Sequence, residues 1–170
     1  GVSDFYKEFV KGEVISTDSE TAELCKLAEN SFRDVNIAFA NELSIICEKS
    51  RINVWELIRL ANRHPRVNIL NPGPGVGGHC IAVDPWFIAS TFPNESKLIR
   101  QARLTNDYKI EWVIEKIIFE CNKFSDQNNR KPSVGIFGLA FKPNIDDLRE
   151  SPAVKISTIL MDSKRLMDQL

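Results

Sequence analysis

Apolar residues recur at Leu24, Leu27, Ala28, Phe32, Val35, Phe39, Leu43 and Ile46, a spacing of about 3.6 residues that only an α-helix gathers onto one face. Held this long, the repeat predicts a helix of about thirty residues, roughly 45 Å at 1.5 Å per residue. A rod longer than the average globular helix serves either as the backbone of a domain or as a dimer interface. Its start falls in "STDSETAELCK". There Thr17 with Glu20 fits a capping box, and Asp18 or Ser19 caps equally well. "ESKLIRQARLTNDYKIEWVIEKIIFECNKF" predicts a second long amphipathic helix. Between the two, "NVWELIRLAN" reads as a shorter helix stopped by Pro65, and "PWFIASTF" as a short helix with Pro85 at its first position. The chain therefore reads as mainly α.

Composition changes after the second long helix. "SDQNNRKPS" is polar and turn-rich, which predicts a linker over residues 125–132. "VGIFGLAF" reads as a short buried parallel strand. The loop "KPNIDDLRES" follows, then a helix opening at Ser151 as N-cap and Pro152 as first residue. Strand, loop and helix in that order are the start of a nucleotide-binding α/β unit. One such unit cannot bury its own sheet faces, so the chain is expected to be a fragment of a larger protein.

The 170 residues carry a formal charge of −1 with no clustering of Lys and Arg, which argues against a nucleic-acid or anionic-membrane partner. No apolar run approaches the roughly 18–20 residues that a membrane span needs. "GVSDFYKEFVKGEV" lacks the apolar stretch and basic flank of a signal peptide. Four scattered cysteines, with no C-x-x-C, predict a reduced, cytoplasmic protein. Cys25, Cys47 and Cys121 fall in helical patterns, as small hydrophobes do. Cys80 does not.

Cys80 lies in "NPGPGVGGHCIAVDP", residues 71–85, which holds four of the eight glycines and three of the eight prolines. Glycines allow close backbone approach and prolines stiffen what lies between them, so the loop is either a peptide-lined cradle for a sugar or phosphate or a tight interdomain turn. A thiol just ahead of a helix start is placed for activation by amide donors and the helix dipole, with Asp84 four residues on. Lys26 and Asn30, at i and i+4, share one helix face and either hold an oxyanion or water or form a solvated face. Lys142 and Arg149 flank the end of the expected strand, where open α/β sheets bind ligands. They suit a phosphate, or are ordinary loop charges. No G-x-G-x-x-G occurs. His64 and His79 are not spaced as a metal pair and read as hydrogen-bonding loop residues, so no metal site is expected.

"AELCKLAENSF", "GPGVGGHCIAVDP" and "FGLAFKPNIDDLRESPA", in that order and spacing, resemble the nucleotide-sugar 6-dehydrogenase family, the UDP-glucose/GDP-mannose dehydrogenases. "ENSFRDVNIAFANEL", "ANRHPRVNIL" and "GGHCIAVDPWFI" are most similar to the branch acting on UDP-N-acetylmannosamine, with UDP-glucose or another UDP-hexose as the alternative substrate. The resemblance spans essentially the whole chain. It implies a tail of an N-terminal NAD-binding domain at 1–17, a helical catalytic and dimerisation domain at 18–124, the linker at 125–132, and the truncated start of a UDP-binding Rossmann-like domain at 133–170. It implies two NAD-dependent oxidations of the sugar C6, with Cys80 as nucleophile and Lys26 and Asn30 stabilising the oxyanion and placing water. Asp84 would act with that water as base. Gly73, Gly75, Gly77, Gly78 and Lys142 would bind substrate, and Arg149 the NAD pyrophosphate. Arg66 resembles an arginine that reaches the substrate from a neighbouring subunit, although it stands two residues nearer the cysteine than in the UDP-glucose branch. A homodimer through the long central helix is the expected assembly. The alternative is an inactive dimerisation and substrate-binding piece.

Overall fold

The computed structural model describes the backbone of residues 1–167 and the side chains of residues 1–162. Among the described residues six helices follow in order: α1 (Val2–Lys7), α2 (Ser19–Lys49), α3 (Val54–Ala61), α4 (Asp84–Thr91), α5 (Lys97–Asn128) and α6 (Pro152–Met167). The molecule is mainly α, as its periodicity predicts.

Local chemistry sets the helix ends. Asp18 caps α2, its carboxylate accepting from the Thr21 backbone N–H at 2.8 Å, so of the three candidate caps the strongest acceptor takes the position. Asn53 caps α3, its Oδ1 accepting from Trp55 and Glu56. That helix ends at Asn62, ahead of Pro65. The Asn62 carboxamide then bonds both backbone groups of Ile69 and leads the chain away. Pro85 is the second residue of α4 rather than its first, because the turn already begins at Asp84. α5 runs to Asn128, into the stretch read as a linker, and closes on Asn129 in the left-handed conformation at φ 49°. Ser151 caps α6 as expected, its Oγ accepting from Val154 N–H and donating to the Leu139 carbonyl at 2.6 Å.

α2 and α5 form the main layer, α4 packs against both, α3 lies on α2, and α6 lies on α5. Among the described residues α1 packs on none of the other helices. Ile110 and Ile114 of α5 meet Ile156 of α6 in an apolar cluster bordered by Val113, Ile117 and Leu160. Two expectations fail. No strand forms over 133–140, and Phe137 is fully exposed. A parallel strand needs neighbours to take its backbone groups, and no described segment supplies one. Cys25 is exposed rather than buried; Cys47 is buried and Cys121 half-buried, and all four thiols are free.

Much of the long periodic face of α2 turns outward, although Leu27, Val35 and Leu43 are half-buried. Phe32 and Phe39 are 73% and 53% exposed, and Leu24 and Ile46 are also exposed. The face turned in carries Ser31, Asp34, Ala38 and Asn41 instead. No described helix is long and apolar enough to cross a membrane.

Candidate functional site

The N-terminal half of α2 and the loop leading into α4 bring the chemically interesting side chains together. Asn30, half-buried, donates from Nδ2 to Asp84 Oδ2 at 2.6 Å across 54 residues of sequence. This contact fastens the start of α4 to α2 and turns one oxygen of Asp84 away from solvent.

One turn earlier, Lys26 is exposed and paired with Glu29 at 3.1 Å. Glu29 raises the Lys26 pKa through that hydrogen bond and its charge, and Cys80 and Asp84 add to the rise. The ammonium stays cationic. Cys80 is exposed, its Sγ 3.3 Å from Nδ1 of His79.

Arg149 approaches from the C-terminal segment. Its Nη2 lies 2.6 Å from Asp147 Oδ2 and its Nε 3.0 Å from Oδ1. The pair raises the Arg149 pKa, with a further contribution from Cys80. It also holds the Asp147 carboxyl down to about 2, helped by His79. Cys80 thus contributes to the raised pKa of both Lys26 and Arg149, two cations from distant parts of the chain that are each paired with a carboxylate, Glu29 and Asp147.

Gly75, Gly77 and Gly78 face packed protein, while Gly73 does not. A Cβ at Gly77 would stand 2.5 Å from Phe141 Cβ and 2.9 Å from the Glu150 carbonyl oxygen. One at Gly75, where φ is +145°, would stand 2.8 Å from Ile110 Cγ1. Both positions need hydrogen so that the loop can close against α5 and the 139–152 segment. The Gly73 N–H donates to Asn41 Oδ1 at 2.8 Å and the Gly78 N–H to the Arg149 carbonyl at 2.9 Å. These two amides are engaged within the chain.

Lys142 and Arg66 do not join the cluster. Lys142 is exposed, its Nζ 5.6 Å from the Phe141 ring centroid. Arg66 is exposed, and its backbone N–H turns back to His64 Nδ1. A groove of about 820 Å³ lies away from Cys80, between the C-terminal half of α5 and residues 132–134.

The sequence reading missed a buried polar network between α2 and α5. Arg103 Nη1 donates to Asp34 Oδ1 at 2.7 Å, with the two side chains 3% and 0% exposed. Asn106 Nδ2 donates to the same oxygen at 2.8 Å, and Asn41 Nδ2 donates to Asn106 Oδ1 at 2.8 Å. Burial raises the Asp34 pKa and Arg103 opposes that rise. The pattern that betrays this face is polar rather than apolar. At 100° per turn-step Lys26, Asn30, Asp34 and Asn41 fall within an arc of about 80°.

Residues 20–108 match the UDP-glucose/GDP-mannose dehydrogenase family, central domain, and residues 135–168 match its UDP binding domain. The chain belongs to that family. A UDP-N-acetyl-D-mannosamine dehydrogenase of Escherichia coli K12 is 62% identical over 161 residues, 93% of this chain and 38% of that protein. An NDP-N-acetyl-D-galactosaminuronic acid dehydrogenase of Ralstonia solanacearum is 60% identical over 151 residues, 89% of this chain and 34% of that protein. The solved UDP-D-ManNAc dehydrogenase of Pyrococcus horikoshii superposes with a TM-score of 0.83 at 44% identity, covering 95% of this chain and 38% of that one. The chain spans less than two-fifths of the length of these relatives.

Proposed function

We propose that this chain is the helical centre, with the beginning of the UDP-binding domain, of an NAD-dependent dehydrogenase that oxidises C6 of UDP-N-acetylmannosamine to the carboxylate. In this reading residues 18–124 form the catalytic and dimerisation unit, 125–132 connect it onward, and 133–170 begin the Rossmann-like unit. Residues 1–17 continue from the NAD-binding unit. The reading assigns the protein to a reduced, cytoplasmic setting.

The observation that carries the proposal is the convergence on Cys80. Asn30 clamps Asp84 at 2.6 Å four residues beyond Cys80, and Cys80 contributes to the raised pKa of both Lys26 and Arg149. Oxidising an alcohol to an aldehyde needs a base and a hydride acceptor; going on to an acid needs an adduct that can lose a second hydride. The Cys80 thiolate attacks the aldehyde carbon, forming a C–S bond and an alkoxide that Lys26 holds. Loss of hydride from that carbon leaves a thioester. Water, placed by Asn30 and deprotonated toward Asp84, adds to the thioester and expels the thiolate. NAD would supply the hydride acceptor, one NAD⁺ for each of the two oxidations. The residues present fit it at one point: the exposed Arg149 guanidinium suits a pyrophosphate beside Cys80 once exchanged from Asp147.

Substrate choice rests on likeness alone, since relatives named for two different sugars stand at 62% and 60% identity. The test is to count NADH released per UDP-N-acetylmannosamine in the full-length protein. Two per sugar is expected, stalling at one oxidation or fewer in Cys80→Ser. Two per sugar in that variant overturns the thioester route. Turnover with UDP-glucose or another UDP-hexose in place of UDP-N-acetylmannosamine overturns only the sugar. A second reading, a dimerisation and substrate-binding piece without activity of its own, is favoured by the exposed apolar face of α2. It predicts that NAD does not shift the melting temperature of the chain by itself.

A further inference from the structure

The loop carrying Cys80 is held at both ends by one helix. At its far end Asn30 takes Asp84; at its near end Asn41 takes the Gly73 N–H at 2.8 Å. The two asparagines lie eleven positions apart on α2, about three turns, and so present the same face. Asn41 is fully buried and uses both ends of its carboxamide, Oδ1 for Gly73 and Nδ2 for Asn106 Oδ1. Its backbone carbonyl accepts from Ser44 Oγ, which in turn accepts from Lys109 Nζ. Behind Asn106 stands the Asp34–Arg103 ion pair. The orientation of the carboxamide is thus fixed. Asn106 spends its N–H groups on Asp34, so its oxygen faces Asn41 and the Asn41 oxygen faces the loop.

We propose that Asn41 is the residue that positions the Cys80 loop: it fixes Gly73 to the buried α2–α5 network, so that Cys80 and Asp84 are presented to substrate in register with Lys26 and Asn30. The consequence for turnover rests on the reading of Cys80 given above; the clamp itself does not. Asn41 touches no reacting atom and acts through Gly73.

Hydrogen exchange and steady-state kinetics on the full-length protein test it. In the unsubstituted protein the Gly73 amide exchanges at least about tenfold slower than an open-loop amide, the protection due to one buried hydrogen bond. In Asn41→Leu, which keeps the forked side-chain shape but loses both bonds, loop exchange rises by about that factor while α2 and α5 stay protected. The kcat falls similarly and the sugar KM moves little. Asn41→Asp supplies a readout that a packing role does not move. As a neutral acid it can donate to Asn106 and accept from Gly73, and as a carboxylate it cannot donate. Its loop protection and kcat, relative to the unsubstituted protein at each pH, are therefore expected to recover as pH falls. Fast Gly73 exchange in the unsubstituted protein overturns the clamp, and this holds even if the variants fail to fold. A loosened loop with unchanged kcat, or a pH-independent Asn41→Asp, overturns the positioning role. If Cys80→Ser still yields two NADH per sugar, the nucleophile reading falls while the exchange results stand.

Discussion

Lys109 lies buried in the seam between α2 and α5, its Nζ 2.6 Å from Ser44 Oγ and 3.6 Å from the centroid of the Trp112 ring. Burial pushes its pKa down to about 8, with Glu48 pulling it back only in part. Between about 8 and the unfolded value of 10.5, the unfolded chain binds a proton that the folded chain has released. Stability from this group therefore rises with pH across that window. Thermal melts of Lys109→Met are expected to lack this rise, so the difference in Tm between the variant and the unsubstituted protein changes steadily between those pH values. A constant difference would refute it. The partner case is Asp34. In Asp34→Ala, Arg103 keeps its exposed contact to Asp107 but loses its buried one. The cation stays paired, and the loss falls on the buried Arg103 Nη1 and Asn106 Nδ2 donors left without their acceptor, which costs about 1–3 kcal/mol, readable as a lowered urea midpoint.

At the scale of elements, what could be read in advance was whatever is decided within a few residues. The cap of α6 and the existence of both long helices follow from local chemistry and period, which narrow the cap of α2 to three neighbouring residues, Thr17, Asp18 and Ser19. Asp18→Ala is expected to cost about 1 kcal/mol in chemical denaturation, with Thr17→Ala costing less because Asp18 holds the Thr21 N–H. Two things could not be read. Period shows that α2 has two unlike faces but not which one its own chain covers, and the polar stripe is the buried one. The pairing of Asp34 with Arg103 spans 69 residues and leaves no local trace. The "VGIFGLAF" segment was read by composition as a strand, yet a strand is a property of its neighbours. Likewise the glycines of 73–78 were legible as a special loop, while the partners that demand them lie near residues 141 and 150. Gly77→Ala is accordingly expected to weaken docking of the 139–152 segment by about 1–3 kcal/mol and to speed its proteolysis. Gly73→Ala, whose Cβ would meet nothing nearer than 3.8 Å, is expected to be close to neutral.

At the scale of the whole molecule, an outward row of Leu24, Phe32, Phe39 and Ile46 on a helix of 31 residues is more apolar surface than a lone chain exposes without cause. A twofold pairing of α2 with α2 would bury that row against itself, which is the dimer proposed above. Phe39→Glu is expected to give a monomer in sedimentation equilibrium with little change in helicity; an unchanged dimer would move the interface elsewhere. The docking of Gly77 and Gly78 onto Phe141 and the backbone around residues 149–150 has a consequence for how the protein is made. On the ribosome Cys80 is synthesised long before the segment that closes over its loop, and before Arg103 and Asn106 complete the network beneath it. The thiol therefore leaves the exit tunnel unseated, and a nascent chain halted anywhere short of residue 152 carries it without its surroundings. The loop is locked in place only once the polypeptide has been extended that far.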